Sequence, residues 1–276
     1  MKKIGGSHSA ISIVNGISTR KGAAIAISLY AKVYTEYNVS DYTIINFRTN
    51  QQANTLLIQK VVEKIVKINN WKGIHTNIFV DSQIPVSVGL KSSSAVAIAL
   101  FRSFSYTKDD MLELVSMSNI EAGISITGAY DDAASCYYNG ITVSDNENNV
   151  VIENIPCETW YVLICIPEYT IQKSNIDRNQ YALHKEEFEE ALSYLMSGEM
   201  IKAIEKNGIV MSKICNIDLS RIKKELEGTN ALVVSISGTG PAVFILYKES
   251  TDMYRILLKM SKFYEKMIIC KAGMLK

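Results

Sequence analysis

Apolar and polar positions alternate through the first part of this chain and turn helical further on. Ala10-Ile11-Ser12-Ile13-Val14-Asn15-Gly16 and Gly22-Ala23-Ala24-Ile25-Ala26-Ile27 mix short apolar runs with small residues. Such alternation predicts two strands, with the turn near Ser18 to Gly22. β-Branched and aromatic residues extend the strand signal through Tyr30 to Phe47. Between Gln51 and Asn69 the apolar positions 58, 61, 62, 65 and 68 fall close to one helical face, with Lys60, Glu63, Lys64 and Lys67 elsewhere. A surface helix without chemistry is expected there. Ile74 to Val80 reads as a strand again, and a small-residue apolar run follows from Ala95 to Phe101. Thr107-Lys108-Asp109-Asp110 is a relative of the capping box, ahead of a helix with Met111, Leu114, Val115 and Ser118 on one side that ends near Glu121.

Asp145 to Asn149 is a polar loop with Pro156 soon after it, and we place a soft domain boundary there, dividing the chain into 1–155 and 156–276. Thr159 to Ile166 is a buried-strand run stopped by Pro167. Helical patterns span about 180–197, with Phe188, Ala191, Leu192 and Leu195, and 199–216, with Ile201, Ile204 and Ile209 around Asn207-Gly208. Ala231 to Ser237 and Ala242 to Tyr247 are strands on either side of Ser237-Gly238-Thr239-Gly240-Pro241. A helix over 251–264 and a short strand from Met267 to Cys270 close the chain. Strand, helices, two strands, helix, strand is a ferredoxin-like order, so the class is α+β.

Composition narrows the partners. A net charge of +1, from 29 basic and 28 acidic residues, leaves no electrostatic footprint for nucleic acid or an anionic membrane. No apolar run approaches the roughly 18 residues of a spanning helix, and Gly, Ser, His and Asn interrupt any leader-like segment after Met1-Lys2-Lys3-Ile4. Cys136, Cys157, Cys165, Cys215 and Cys270 are odd in number and lack CxxC spacing, which argues against a disulfide framework or a zinc site. His8, His75 and His184 form no metal or nucleophile constellation in the sequence and are expected to be structural. A cytoplasmic setting is expected. The sequence is silent on oligomeric state.

Chemistry concentrates at Pro85-Val86-Ser87-Val88-Gly89-Leu90-Lys91-Ser92-Ser93-Ser94-Ala95, between a strand and a helix start. Gly89 permits a turn that a side chain would obstruct. The serines offer helix caps and hydroxyls, the first helical N–H groups favour an anion, and Lys91 adds a positive charge. A Ser-rich helix cap on a packed loop is the plainer reading. The usual P-loop string, Gly, four residues, Gly-Lys-Ser/Thr, does not occur in the chain. Further on, Asp131-Asp132 follows Thr127-Gly128, a combination that elsewhere forms solvated turns, although the apolar flanks suit a fully solvated turn less well here.

Read as P-x-x-x-G-L-x-S-S-x-A, the stretch resembles the phosphate loop of the GHMP kinases, and the form Gly89-Leu90-Lys91-Ser92-Ser93-Ser94-Ala95 is most similar to the archaeal-type shikimate kinase branch. Lys21 with the small residues after it is similar to that family's first motif, and Ser-Gly-Thr-Gly-Pro-Ala from Ser237 to its third. The resemblance implies a two-domain fold, an N-terminal ribosomal-protein-S5-like ATP-binding domain and a C-terminal ferredoxin-like one. It implies an ATP- and Mg²⁺-dependent kinase acting on the 3-hydroxyl of shikimate, a step in chorismate and aromatic amino-acid biosynthesis. By the same resemblance, Pro85 to Ala95 would bind the ATP phosphates and Ser93 with Glu121 would hold Mg²⁺. Asp131 would be the catalytic carboxylate, with Asp132 as the alternative one residue along. Lys21, Ser237, Gly238, Thr239 and Gly240 would line the substrate, and Arg178, Arg20, Lys21 and Lys173 are the candidates for its carboxylate. A kinase of homoserine, mevalonate or a sugar, and a non-catalytic sensor on the same fold, are the other readings.

Overall fold

The computed structural model describes residues 2–51, 54–125, 128–171 and 176–275, apart from the side chains of 108–110. Strands β1 (Lys2–Val14) and β2 (Lys21–Ser40) form the expected hairpin and pair antiparallel along nearly all of β1. Both faces of the hairpin are buried: Ile11, Ile13, Ile25 and Ile27 on one face alternate with the small residues Ala10, Ala24 and Ala26 on the other. The strand signal through Tyr30 to Phe47 divides at residues 41–43 into β2 and β3 (Ile44–Thr49). β3 then runs parallel to β4 (Gly73–Ser82), a connection that needs a crossover. Helix α1 (Thr55–Ile68) supplies it, started by the Asn54 side chain accepting from the Leu57 N–H. Leu57, Ile58, Val61, Val62 and Ile65 are buried as the periodicity requires, while Ile68 ends the helix half-exposed.

Helix α2 (Ser92–Ser103) packs hard on β1: a Cβ at Gly5 would stand 1.9 Å from the Ala99 carbonyl oxygen. Helices α3 (Lys108–Glu121) and α4 (Tyr130–Tyr137) and strands β5 (Ile141–Asp145) and β6 (Val150–Ile155) complete this half. Thr107 does precede α3, but its side chain makes no capping bond. The other half contains β7 (Trp160–Ile166), α5 (Arg178–Leu183), α6 (Lys185–Met196), α7 (Met200–Cys215) and α8 (Leu219–Glu225). It continues with β8 (Ala231–Ile236), β9 (Val243–Tyr247), α9 (Met253–Met260) and β10 (Lys266–Ala272).

Its strands lie in the order β10-β7-β9-β8, all antiparallel, which is the ferredoxin-like arrangement. Ala272 of β10 also pairs with Ile27 of β2, so the two halves share one sheet across residue 155. Among the described residues no helix is long and apolar enough to cross a membrane.

The 199–216 pattern needs a correction. Ile209 is 44% exposed, whereas Asn207 and Gly208 face the sheet with Ala203, Ile204, Val210 and Met211. Close approach is the reason: a Cβ at Gly208 would meet Ser235 Oγ at 2.9 Å and the Val234 carbonyl oxygen at 3.1 Å. The 180–197 pattern breaks at His184 into α5 and α6, and the last helix is shorter than 251–264.

Candidate active site

The loop between β4 and α2 has positive φ at alternate residues: Ser87 at 58°, Gly89 at 88° and Lys91 at 57°. Positive φ at every second residue is the pattern of a nest, in which successive N–H groups turn toward one concavity that suits an anion. Pro85, Val88, Leu90 and Ala95 are buried and hold the loop from behind. Gly89 is compulsory, because a Cβ there would stand 2.1 Å from the Ser237 carbonyl oxygen. The expected serine cap is not made. Lys91, in the left-handed region, occupies the N-cap of α2, so Ser92 and Ser93 already lie within its first turn, both partly exposed. Ser94 is buried and accepts from Asn119 Nδ2 at 3.3 Å. Beside the loop lies a cleft lined by Thr49, Asn54, Val80, Val86, Ser93 and Val96.

The loop after β8 closes on this nest. Ser237 Oγ donates to the Gly89 carbonyl at 2.8 Å and accepts from the Ser12 N–H at 3.1 Å, and the Ala242 N–H donates to the Val88 carbonyl at 3.2 Å. Gly238 and Gly240 have φ of 58° and 74°, which lets Ser237-Gly238-Thr239-Gly240 fold back tightly. Asn15 Nδ2 donates to the Gly238 carbonyl at 3.0 Å, and Asn207 Oδ1 accepts from the Asn15 N–H at 2.9 Å. Ser12, Asn15 and Asn207 thus tie the halves together, and sequence reasoning gave none of them a role. Their signal was polarity inside apolar runs, clearest at Asn207, which is fully buried on a helix.

Gly128 and Ala129, with φ of 81° and 49°, turn the chain into α4. Asp131 and Asp132 are therefore in the first turn of a helix and not in a solvated turn, a place where its dipole favours carboxylates. The Asp131 N–H donates to Asn146 Oδ1 at 2.7 Å, and the Asp132 N–H donates to Asp131 Oδ1 at 3.0 Å. The Asp131 carboxylate lies against Gly22, where a Cβ would stand 2.3 Å from Asp131 Oδ2. Asp132 is ion-paired to Lys91, whose side chain is only 2% exposed and also donates to Ser12 Oγ at 2.9 Å. Burial works against charge on that amine, but Asp132 and then Asp131 outweigh it and raise its pKa. The charge expected from Lys91 beside the phosphates is thus directed inward, onto the acid pair.

Lys21 begins β2, exposed, next to the turn that holds Asn146, whose N–H donates to the Arg20 carbonyl at 2.7 Å. The basic pair Arg20-Lys21 therefore adjoins Asp131. Arg178 is the exposed first residue of α5; two residues earlier, Ile176 packs in the same cluster as Ile17. Thr127 and Lys173 lie outside the described residues. Glu121, the last residue of α3, is 41% exposed and ion-paired with Lys64 of α1 at 2.5 Å. On α3 it is Asn119 that reaches α2, and residues two apart point about 200° away from each other around a helix. Ser93 and Glu121 are thus not joined by a direct contact. Among the described residues no three His, Cys, Asp or Glu side chains gather as a metal cluster.

The GHMP kinases N terminal domain matches residues 56–140, and the GHMP kinases C terminal domain matches residues 181–266. The shikimate kinase of Pyrococcus furiosus is 30% identical over 260 residues, covering 90% of this chain and 93% of its own. That of Thermococcus kodakarensis is 28% identical over 253 residues, again 90% and 93%. Among solved structures, L. major mevalonate kinase in complex with R-mevalonate superposes with a TM-score of 0.77 at 13% identity, covering 99% of this chain and 96% of that one, a likeness of fold. A nest, an acid pair and a glycine loop brought together on this fold, with relatives aligned over 90% of the chain, lead to one assignment: the chain belongs to the GHMP kinase family, alongside the archaeal shikimate kinases.

Proposed function

We propose that this protein is a shikimate kinase, moving the γ-phosphoryl group of ATP to the 3-hydroxyl of shikimate. The observation that carries this reading is the meeting of three segments at one place: the Gly89 nest, the Ser237 loop hydrogen-bonded to it, and Asp131 at the first turn of α4. The shikimate kinase relatives, aligned over 90% of the chain, support this acceptor. Residues 1–155 form the ATP-binding half in this reading and 156–276 the second half. Pro85 to Ala95 cradle the phosphates, mainly through backbone N–H groups, and the adjoining cleft takes the base of the nucleotide. Asp131 accepts the proton of the attacking hydroxyl, or orients it, as the O–P bond forms and the bond to ADP breaks. Ser237 to Gly240 and Lys21 line the acceptor. Its carboxylate takes a cation, for which Arg20, Lys21 and Arg178 are the described candidates.

Mg²⁺ suits the donor types present, a hydroxyl at Ser93 and a carboxylate at Glu121, and when bound it neutralises charge on the phosphates. Glu121 faces α1 in this arrangement, so it takes that role only by releasing Lys64 and swinging round toward Ser93. Five free thiols suit a reducing compartment, and the cytoplasm is the setting we propose.

The test is ATP consumption screened over shikimate, homoserine, mevalonate and galactose, followed by Asp131→Asn with the active acceptor. Turnover on shikimate alone, lost by about 10²-fold or more in Asp131→Asn with KM for ATP kept, is the expected result. Turnover at the parent rate in a folded Asp131→Asn protein would remove the carboxylate from the chemistry. Preference for another alcohol would correct the acceptor.

A further inference from the structure

Lys91 lies in the nest by sequence, yet its side chain turns away from the concavity. Its left-handed backbone starts α2 and its stem is buried, so the ammonium meets Ser12 Oγ at 2.9 Å and the Asp132 carboxylate. A cation at that depth needs a partner, and the partner lies 41 residues along the chain, on the helix that carries Asp131. Neighbouring residues on a helix point about 100° apart. With Asp132 held inward on Lys91, Asp131 is turned toward Gly22 and the mouth of the hairpin, where Arg20 and Lys21 lie.

The same lysine touches a longer hydrogen-bonded chain. The Ser12 N–H donates to Ser237 Oγ, which donates to the Gly89 carbonyl, so nest, hairpin, the Ser237 loop and α4 share one set of bonds around Lys91. We propose that Lys91 is a positioning residue: it fixes the rotation of the first turn of α4 through Asp132 and thereby aims Asp131 at the acceptor, without itself binding phosphate. This rests on the reading of Asp131 as the reacting carboxylate.

The experiment is a cycle on the full chain: Lys91→Met, Asp132→Asn and the double variant, each followed by thermal melting, by ATP affinity in the absence of acceptor, and by kcat. In Lys91→Met, kcat is expected to fall about 10²-fold, the scale of a misplaced group, while ATP affinity stays within about twofold of the parent. The double variant leaves neither charge stranded, so it melts no lower than Lys91→Met and its kcat loss does not exceed the larger single loss. It therefore keeps the test readable if a single variant fails to fold. A tenfold loss of ATP affinity in Lys91→Met with kcat kept would make the lysine a phosphate ligand and overturn the proposal. So would kcat losses that multiply in the double variant. Failure of the shikimate reading shows separately, as a parent protein idle on shikimate; the cycle then runs on the alcohol that the screen identifies, and the ATP-affinity arm needs no acceptor at all.

Discussion

Gly22→Ala is the smallest change that reaches Asp131 without touching it chemically. Gly22 pairs with Ser144 in the sheet, and its backbone is ordinary strand that alanine adopts freely. The fold is expected to survive, because a strand alanine is worth roughly 0.5–1 kcal/mol over glycine in backbone entropy. The new methyl would stand 2.3 Å from Asp131 Oδ2 and 3.2 Å from its Cγ. Comfortable contact begins at roughly 3.5 Å, so the oxygen must retreat by about 1 Å. The Asp131 N–H is held by Asn146 at 2.7 Å, which leaves side-chain rotation as the way out. A displacement of that size in a reacting group costs about 10²-fold in rate, or about 2.7 kcal/mol. The assay is steady-state kcat with shikimate and saturating ATP, beside a thermal melt and an ATP titration. Gly6→Ala is the control, the same substitution in the same hairpin, where the nearest atom to the new methyl is 3.9 Å away; its kcat should match the parent. A folded Gly22→Ala protein turning over at the parent rate would refute the placement of Asp131 as the reacting carboxylate.

Two other variants address the phosphate side. Gly89→Val is expected to abolish ATP binding by calorimetric titration while the circular dichroism spectrum is kept: a left-handed position costs about 1–3 kcal/mol in a non-glycine residue, and the Cβ would collide with the Ser237 carbonyl at 2.1 Å. Normal ATP affinity in that variant removes the nest from the mechanism. Ser93→Ala and Glu121→Gln are expected to raise the Mg²⁺ concentration needed for half-maximal rate far more than they alter KM for shikimate. If Glu121→Gln leaves the Mg²⁺ titration where it was, the Lys64 pair is the whole role of that residue.

What was legible in the sequence was mostly local. The hairpin, the face of α1, the ferredoxin-like order and the glycine loop each depend on spacings of a few residues, and periodicity or turn chemistry reports those directly. The loop's resemblance to a family then joined segments that no periodicity could connect. What the sequence did not show at the site involves partners distant in the chain. Asn207 received no role from the helical pattern because its partner is the Asn15 N–H, 192 residues away. Glu121 had an expected metal role and a neighbour on another helix, Lys64, whose approach depends on how α1 and α3 pack. Lys91 is the most instructive case, since among serines and a glycine its charge points on paper to a phosphate. Two facts absent from the loop redirect it: a left-handed backbone at residue 91 that starts the side chain inward, and a carboxylate on α4 waiting there. Removing water from a cation is affordable only where an opposite charge is already in place. The direction of Lys91 was therefore set by its own backbone together with α4, and the acid pair on that helix was the part of the sequence that pointed to it.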